Sequence, residues 1–391
     1  MKLYFSTEGR FIKNNGVYYS LGGFSQTLWD RYLRHFDSIV VIARVLVDNS
    51  ASVNEKNAIH DPRVSFMDLP YYVGLTGFFR NKRKLKLYLK GALQSDGVYI
   101  CRVPGTISSA VIQILRNRGF SYACEVVGDP WDVFAPGSMK HIFRGAMRIK
   151  STLSLKSQLR HCNAALYVTQ KKLQNRYPVS PGVFNIGASD VILKESTMAY
   201  SPKVLVPKEI YNIISIGSLA QMYKSPDIVL KAISSLKNKG IICNLTWLGG
   251  GMYLESMRAL AEDLGVSNNV FFLGNVSSED VINQLRRADM FILASRTEGL
   301  PRALIEAMSQ GLPCVGTRVG GIPELLDECV LVEKDSVRQL SDAIKKMVTT
   351  PLFANAQAER NLLKSRSFLE SELDSKRESF YRHVKSCYET K

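Results

Sequence analysis

The feature that most constrains this chain is a regular alternation in its second half. From residue 205 onward, short β-branched or aliphatic runs at 212–216, 243–248, 270–273, 289–293, 313–317 and 329–333 are separated by segments of helical period at 225–238, 278–288, 301–310 and 335–348. Strand, helix, strand, helix predicts parallel pairing through right-handed crossovers and a sheet covered on both faces. The first half repeats the scheme, with KLYFS, SIVVIAR, VYICR, YACEVV and AALYV as strands and helices near 23–34, 83–95, 107–117 and 140–160. The expected fold is therefore α/β, with two Rossmann-like domains at 1–195 and 205–367 and a linker over about 190–208. The apolar spacing of Leu362, Leu363, Phe368, Leu369, Leu373, Phe380 and Tyr381 predicts helices at the end, the last of which, about 368–391, crosses back to the first domain. Two open parallel sheets are expected to leave a cleft at the carboxyl ends of their strands, where such folds bind ligands.

Composition narrows the class. The 391 residues are 46% hydrophobic and 22% charged, which excludes disordered and collagen-like chains. Seven cysteines, odd in number and never in a C-x-x-C pair, argue against a disulfide framework or zinc knuckle and fit a reducing, cytoplasmic compartment. Glu8 and Arg10 interrupt the place where a signal peptide needs its apolar stretch, and no run is apolar enough to span a membrane. The net charge of +16 is unevenly spread: residues 1–200 hold 27 Lys and Arg against 13 Asp and Glu, residues 201–391 hold 24 against 22. The two halves are expected to face different partners.

The most informative stretch is ASRTEGLPRALIEAMSQGLPCVGTRVGGIPE, residues 294–324. It leaves a buried strand, turns at Glu298 and Gly299, and is expected to start a helix with Pro301 at the first helical position and to stop it at Gly311. The amino end of that helix then offers the N–H groups of Leu300, Arg302 and Ala303 to an anion such as a diphosphate. Glu298 precedes the helix and Glu306 sits in its second turn, about 7 to 8 Å further along the axis. One extended ligand fits both heights: a sugar beside Glu298 and a ribose diol at Glu306, on either side of a diphosphate.

This stretch resembles the E-x7-E signature of family 4 glycosyltransferases, retaining enzymes of the GT-B fold. SIGSLAQMYKSPDIVLKAI (215–233), with Gly217 and Lys224, is similar to the family's Gly-rich loop and lysine. TWLGGGMYLESM (246–257) is similar to its second Gly-rich turn, and FFLGNVSSEDV (271–281), with Gly274 and Asn275, to the loop that carries the nucleotide base. FNIGASD (184–190) is similar to its interdomain hinge. The resemblance implies that Glu306 binds the donor's ribose, Glu298 contacts the donor sugar and Lys224 neutralises the diphosphate. It implies same-face substitution, with Glu298 orienting the sugar and the departing phosphate taking the acceptor proton. Where the family usually has an arginine after the loop glycine, this chain has Ser218, which leaves the second phosphate cation open; Arg296 and Arg302 are nearest along the chain.

In the first half, Gly22 and Gly23 let backbone approach the diphosphate or the acceptor. EVVGDPWDVF (125–134) offers Asp129 as an acceptor-side catalytic carboxylate, with a turn-forming role as the alternative. No metal or bound cofactor is called for: D-x-D, H-E-x-x-H and H-x-H are missing, and His35, His60, His141, His161 and His383 are scattered. Two cationic stripes, Lys82, Lys86 and Lys90, then Lys140, Arg144 and Arg148, suggest an anionic membrane surface, with Tyr71, Tyr72, Phe78 and Phe79 beside the first stripe. The expectation is a nucleoside-diphosphate-sugar donor, a saccharide or lipid-linked acceptor, and a cytoplasmic enzyme peripheral to the inner face of the cell membrane. The rivals are a GT-B phosphorylase or epimerase, a nucleic-acid binder, and a dinucleotide oxidoreductase. The charge confined to one half and the lack of a groove-reading motif count against nucleic acid. The lack of G-x-G-x-x-G after a strand counts against the oxidoreductase.

Overall fold

The structure, a computed structural model, describes residues 1–134 and 143–389. Lys140 and His141, named above, lie outside the described residues, as does the side chain of Phe79. The chain divides into two compact units. One comprises Met1–Gly128, Ile149–Gly187 and Ser375–Lys391, the other Asp129–Arg148 and Ala188–Asp374.

The first unit is built on nine strands: β1 (Lys2–Asn14), β2 (Val17–Ser20), β3 (Ser38–Val47), β4 (Ala58–Ile59), β5 (Val64–Pro70), β6 (Gly97–Val103), β7 (Ala123–Val126), β8 (Ala164–Tyr167) and β9 (Phe184–Gly187). Seven pair in parallel in the order β5-β3-β1-β6-β7-β8-β9, while β2 folds back antiparallel on the end of β1 and pairs with β4. The helices are α1 (Gln26–Leu33), α2 (Gly74–Ala92), α3 (Thr106–Asn117), α4 (Pro130–Val133), α5 (Arg144–Arg160) and α6 (Lys172–Arg176), of which α4 and the start of α5, through Arg148, belong to the second unit. Alternate strand residues such as Tyr4, Tyr99, Cys101 and Cys124 form one core with Leu85 and Leu89 of α2, Val111 and Leu115 of α3, and Leu155 and Leu159 of α5. These three helices thus cover one face of the sheet, and none of them contains an Asp or Glu. Against the other face, Phe5 packs on Trp29 and Tyr32 of α1.

The second unit has six parallel strands, β10 (Ile210–Ile216), β11 (Ile242–Leu248), β12 (Val270–Gly274), β13 (Met290–Leu293), β14 (Cys314–Thr317) and β15 (Leu331–Val332), ordered β12-β11-β10-β13-β14-β15. Its helices are α7 (Pro226–Asn238), α8 (Leu254–Asp263), α9 (Ser278–Arg287), α10 (Arg302–Ser309), α11 (Ile322–Leu325), α12 (Val337–Thr349) and α13 (Pro351–Ser365). The last helix, α14 (Glu370–Glu389), passes from the second unit to the first at Ser375. There Tyr381 packs tilted against Tyr32 and edge-on against Phe36 and Phe380, and Lys385 donates to the His35 carbonyl at 2.8 Å.

Several elements depart from the periodicity. Helix α2 begins at Gly74, well before 83, because its first turn holds two glycines and no side-chain cap at Val73, features that weaken a sequence signal without preventing a helix that packs on a sheet. Strands β5 and β9 were not predicted: one ends in a proline, and the other is the FNIG segment expected to be a hinge. Helix α8 fills an interval left unassigned, and α13, which carries Leu362 and Leu363 of the expected terminal helices, begins earlier, at Pro351. The expected linker belongs to the second unit, where the Ala199 and Lys203 N–H groups bond the carbonyls of Ser309 and Gly311. All seven cysteines are free, and no described helix is long and apolar enough to cross a membrane.

Tyr381 is fully buried, so Tyr381→Ala should leave a cavity and cost about 3 to 5 kcal/mol of stability, read as a lowered urea midpoint with an unchanged slope.

Candidate active site

Three loops at the carboxyl ends of β10, β11 and β12 interlock by backbone alone. The Gly217 N–H bonds the Leu248 carbonyl at 2.8 Å, the Leu219 N–H bonds Gly250 O at 2.8 Å, and the Gly249 N–H bonds Gly274 O at 2.7 Å. A Cβ at Gly249 would lie 2.3 Å from the Gly217 oxygen and one at Gly251 would lie 2.1 Å from the Ala220 nitrogen, so both positions must be glycine. The Asn275 side chain joins them by accepting the Gly250 N–H at 3.0 Å. Trp247, buried in β11, donates its indole N–H to the Gly217 carbonyl at 2.9 Å and fixes the first loop from beneath.

Gly217 lacks a Cβ for a different reason: the Lys224 stem lies across it, with Cγ only 2.6 Å from where a Cβ would be. Lys224 ends a short 3-10 turn, and the next residue, Ser225, takes a left-handed conformation (φ 52°) before Pro226 opens α7. The Ser225 hydroxyl is buried without a partner. That sharp reversal aims Lys224 at Glu298, and its Nζ lies 2.5 Å from Glu298 Oε1.

Glu298 lies on the loop after β13. The Ser295 hydroxyl donates to the same Oε1 at 2.6 Å, and Thr317 of β14 holds the Ser295 carbonyl at 2.6 Å. One carboxylate oxygen is therefore doubly held and the other is left for a ligand. The loop is backed by Gly320 and Gly321: a Cβ at Gly320 would sit 2.0 Å from the Glu298 carbonyl oxygen, and the Gly321 N–H bonds Gly299 O at 2.7 Å. Gly320 also has φ +52°, so conformation and contact both require glycine there, while contact alone requires it at Gly321, where a Cβ would lie 2.7 Å from the Gly299 oxygen.

Pro301 is the extended N-cap of α10 (ψ 111°) rather than its first helical residue, so the helix starts at Arg302. It ends with Gly311 at φ +66°. The N–H groups of Leu300, Arg302 and Ala303 have no protein acceptor among the described residues. Five residues into α10, Glu306 is partly buried, and its carboxylate has no hydrogen-bond partner among the described residues. Desolvation raises its pKa above the ordinary glutamate value, opposed by the charge of Arg302 one turn earlier.

Arg296, one candidate for the second phosphate cation, is otherwise engaged. Its guanidinium makes a two-pronged contact with Asp227, at 3.1 and 2.8 Å, and reaches Asp335 at 2.6 Å and the Met222 carbonyl at 2.6 Å. It ties the Lys224 loop to α7 and to the turn before α12. Sequence reasoning missed this clamp and the Ser295 contact, because neither leaves a spacing signal.

The first-half candidates are placed differently. Gly22 and Gly23 are exposed in the first unit, and a Cβ at either would meet nothing within 4 Å, so packing does not demand glycine there. Asp129 is buried as the N-cap of α4 and accepts the Trp131 N–H at 2.9 Å, the turn-forming role. Arg148, from the second stripe, stacks over the Trp131 ring at 3.8 Å and donates to its carbonyl at 2.6 Å.

A carboxylate pair eight residues apart around one helix start, a lysine on a Gly-rich loop and an interlocked set of glycine turns together make up the candidate site. The sequence profile of Glycosyl transferases group 1 matches residues 198–363. Protein CapJ of Staphylococcus aureus is 30% identical over 370 residues, covering 94% of this chain and 90% of that one. The putative colanic acid biosynthesis glycosyltransferase WcaL of Escherichia coli is 35% identical over 135 residues, 33% of each chain. Among solved structures, HepE of Anabaena in complex with UDP and glucose superposes with a TM-score of 0.67 at 13% identity, covering 97% of this chain and 98% of that one. The chain belongs to the group 1 glycosyl transferases, GT-B enzymes of polysaccharide and glycolipid synthesis.

Gly320→Ala should push the Glu298 loop away, because its Cβ has no room and its φ is unfavourable by about 1 to 2 kcal/mol. The expected result is a lower melting temperature together with loss of the affinity difference between a nucleotide sugar and its nucleotide, measured side by side with wild type.

Proposed function

We propose that this glycosyltransferase is a retaining, metal-independent enzyme that moves a sugar from a UDP- or GDP-sugar to a hydroxyl of a lipid-linked saccharide in cell-surface polysaccharide synthesis. The observation that carries the reading is the partnerless Glu306 carboxylate on the same helix whose start lies beside the Lys224–Glu298 pair. Glu306 takes the ribose diol. The diphosphate meets the N–H groups at the start of α10, and Lys224 exchanges Glu298 for a phosphate oxygen as the donor enters. Glu298, released from that ion pair but still held by Ser295, accepts a hydroxyl of the sugar. Gly274 and Asn275 border the base. The leaving group's charge is stabilised by donors already in place, so little reorganisation accompanies bond breaking. The acceptor oxygen attacks from the face the diphosphate leaves, and its proton passes to the leaving phosphate oxygen. In this reading the first unit takes the acceptor.

A thermal-shift screen with UDP, GDP, ADP and their sugars tests the donor. A binder at a hundred times its dissociation constant adds about 2.7 kcal/mol, and Glu306→Ala should remove the shift. The pH dependence has a definite sign. Glu306 holds its proton to higher pH than an ordinary glutamate, and the protonated form has lost an acceptor site, so nucleotide affinity should fall on acidification before a normal carboxylate titrates. The Glu306→Gln variant should lose that pH step. An affinity unchanged by Glu306→Ala would end the ribose assignment. Proton NMR of the product's anomeric signal decides retention against inversion.

The membrane reading gains support from the acid-free helical face. Lys82, Lys86 and Lys90 are exposed on α2, beside exposed Leu87 and Tyr88, and α5 exposes Ile149 and Leu153 near Lys150. Each basic residue near an anionic leaflet contributes about 1 kcal/mol. Flotation with phosphatidylglycerol vesicles at low salt should recover the protein, and charge reversal at Lys82, Lys86 and Lys90 should abolish recovery. Equal recovery of the reversed variant would exclude α2 as the contact.

A further inference from the structure

We infer that the second cation on the donor's diphosphate is Arg302, the first residue of α10, acting from the same helix as Glu306. The inference rests on the donor-site reading above and adds the group that makes its charge balance work.

The three ionisable groups of that reading are two carboxylates, Glu298 and Glu306, and one ammonium, Lys224. A nucleoside diphosphate brings further negative charge to a neighbourhood already one unit negative. Lys224 is moreover neutralised by Glu298 at 2.5 Å before any donor arrives. A second cation is needed, and the arginines of the surrounding loops are mostly occupied. Arg296 is held by Asp227, Asp335 and the Met222 carbonyl. Arg318 is held by Glu328 and Glu333. The loop position after Gly217 holds Ser218, whose hydroxyl is used locally by the Ala220 N–H at 3.1 Å.

Arg302 differs from these. It is exposed and makes no hydrogen bond or ion pair with protein among the described residues. Its charge reaches Glu306, whose proton affinity it lowers, as expected for residues four apart on one helical face. Helical side chains lean toward the amino terminus, so from the first position of α10 a guanidinium can reach ahead of the helix, where the N–H groups of Leu300, Arg302 and Ala303 are open. A planar guanidinium there can hold two phosphate oxygens at once, which an ammonium cannot. Glu306 on the ribose and Arg302 on the phosphates would then read adjacent parts of one ligand.

The test compares nucleoside diphosphate with the matching monophosphate by isothermal titration, using whichever of UDP/UMP or GDP/GMP stabilises the wild type. Arg302→Ala should lose about ten- to a hundredfold in diphosphate affinity, while monophosphate affinity changes far less and the melting temperature is unchanged. Arg302→Lys should recover part of the loss. Adding Ser218→Arg to Arg302→Ala, which sets a guanidinium beside Lys224, should restore the preference for diphosphate. Equal losses for both nucleotides, or no loss for either, would overturn the assignment. Glu306→Ala separates the two levels: if it leaves nucleotide binding intact, the donor site itself is misread; if it abolishes binding while Arg302→Ala does not, only the role of Arg302 falls.

Discussion

The site depends on one close approach, the backbone of Gly320 and Gly321 against the carbonyls of Glu298 and Gly299. A side chain at Gly320 would occupy the space of the Glu298 carbonyl, so this contact holds the loop between β13 and α10 together with the bonds of Ser295, Arg296 and Lys224. Because that loop is fixed, Glu298 is met on one oxygen by Ser295 and Lys224, and its other oxygen has no hydrogen-bond partner among the described residues. The same contact sets where α10 begins, and with it the height of Glu306. A single Gly-Gly turn thus helps convert an ordinary strand–loop–helix connection into a frame with two carboxylates at fixed heights.

The ion pair between Lys224 and Glu298 gives that frame its electrostatic logic. Each group is poorly hydrated and each satisfies the other, so neither is left as an isolated charge while the site is empty. In the function proposed above, a diphosphate competes for the lysine and frees the carboxylate for the sugar, so that phosphates and sugar are recognised in a linked way. The loop geometry that makes the pair possible rests on the left-handed Ser225 and the bare Gly217.

Much of this was legible in the sequence. The alternation of strands and helical segments gave the parallel sheets, Glu298 and Glu306 stood out by their spacing around one helix start, and Lys224 and the glycine turns by their resemblance to the family's loops. Arg296 was legible as a cation but not as a clamp, since its partners Asp227 and Asp335 are brought to it by different helices. Asp129 was read as a catalytic carboxylate with a turn as the alternative, and the structure gives it a capping bond to Trp131. The basic stripes appeared as two separate helical patterns. That α2, α3 and the part of α5 from Ile149 onward form one acid-free layer on the first unit's sheet emerges only when the strand order is known; Arg144 and Arg148 of the second stripe belong to the second unit.

The sequence by itself determined the class of fold, the places where backbone must come close to backbone, and the residue types available to bind a sugar nucleotide. Those properties are local: hydrophobic period, glycine and proline punctuation, and charge at fixed offsets along one helix. The tertiary structure alone decided which charges neutralise each other. Ion pairing depends on distances between residues tens of positions apart, such as Lys224 with Glu298 and Arg296 with Asp227, and no periodicity along the chain encodes them. That is why the same reading could find both arginines beside the motif and only the folded chain could show that one is spent and the other is open.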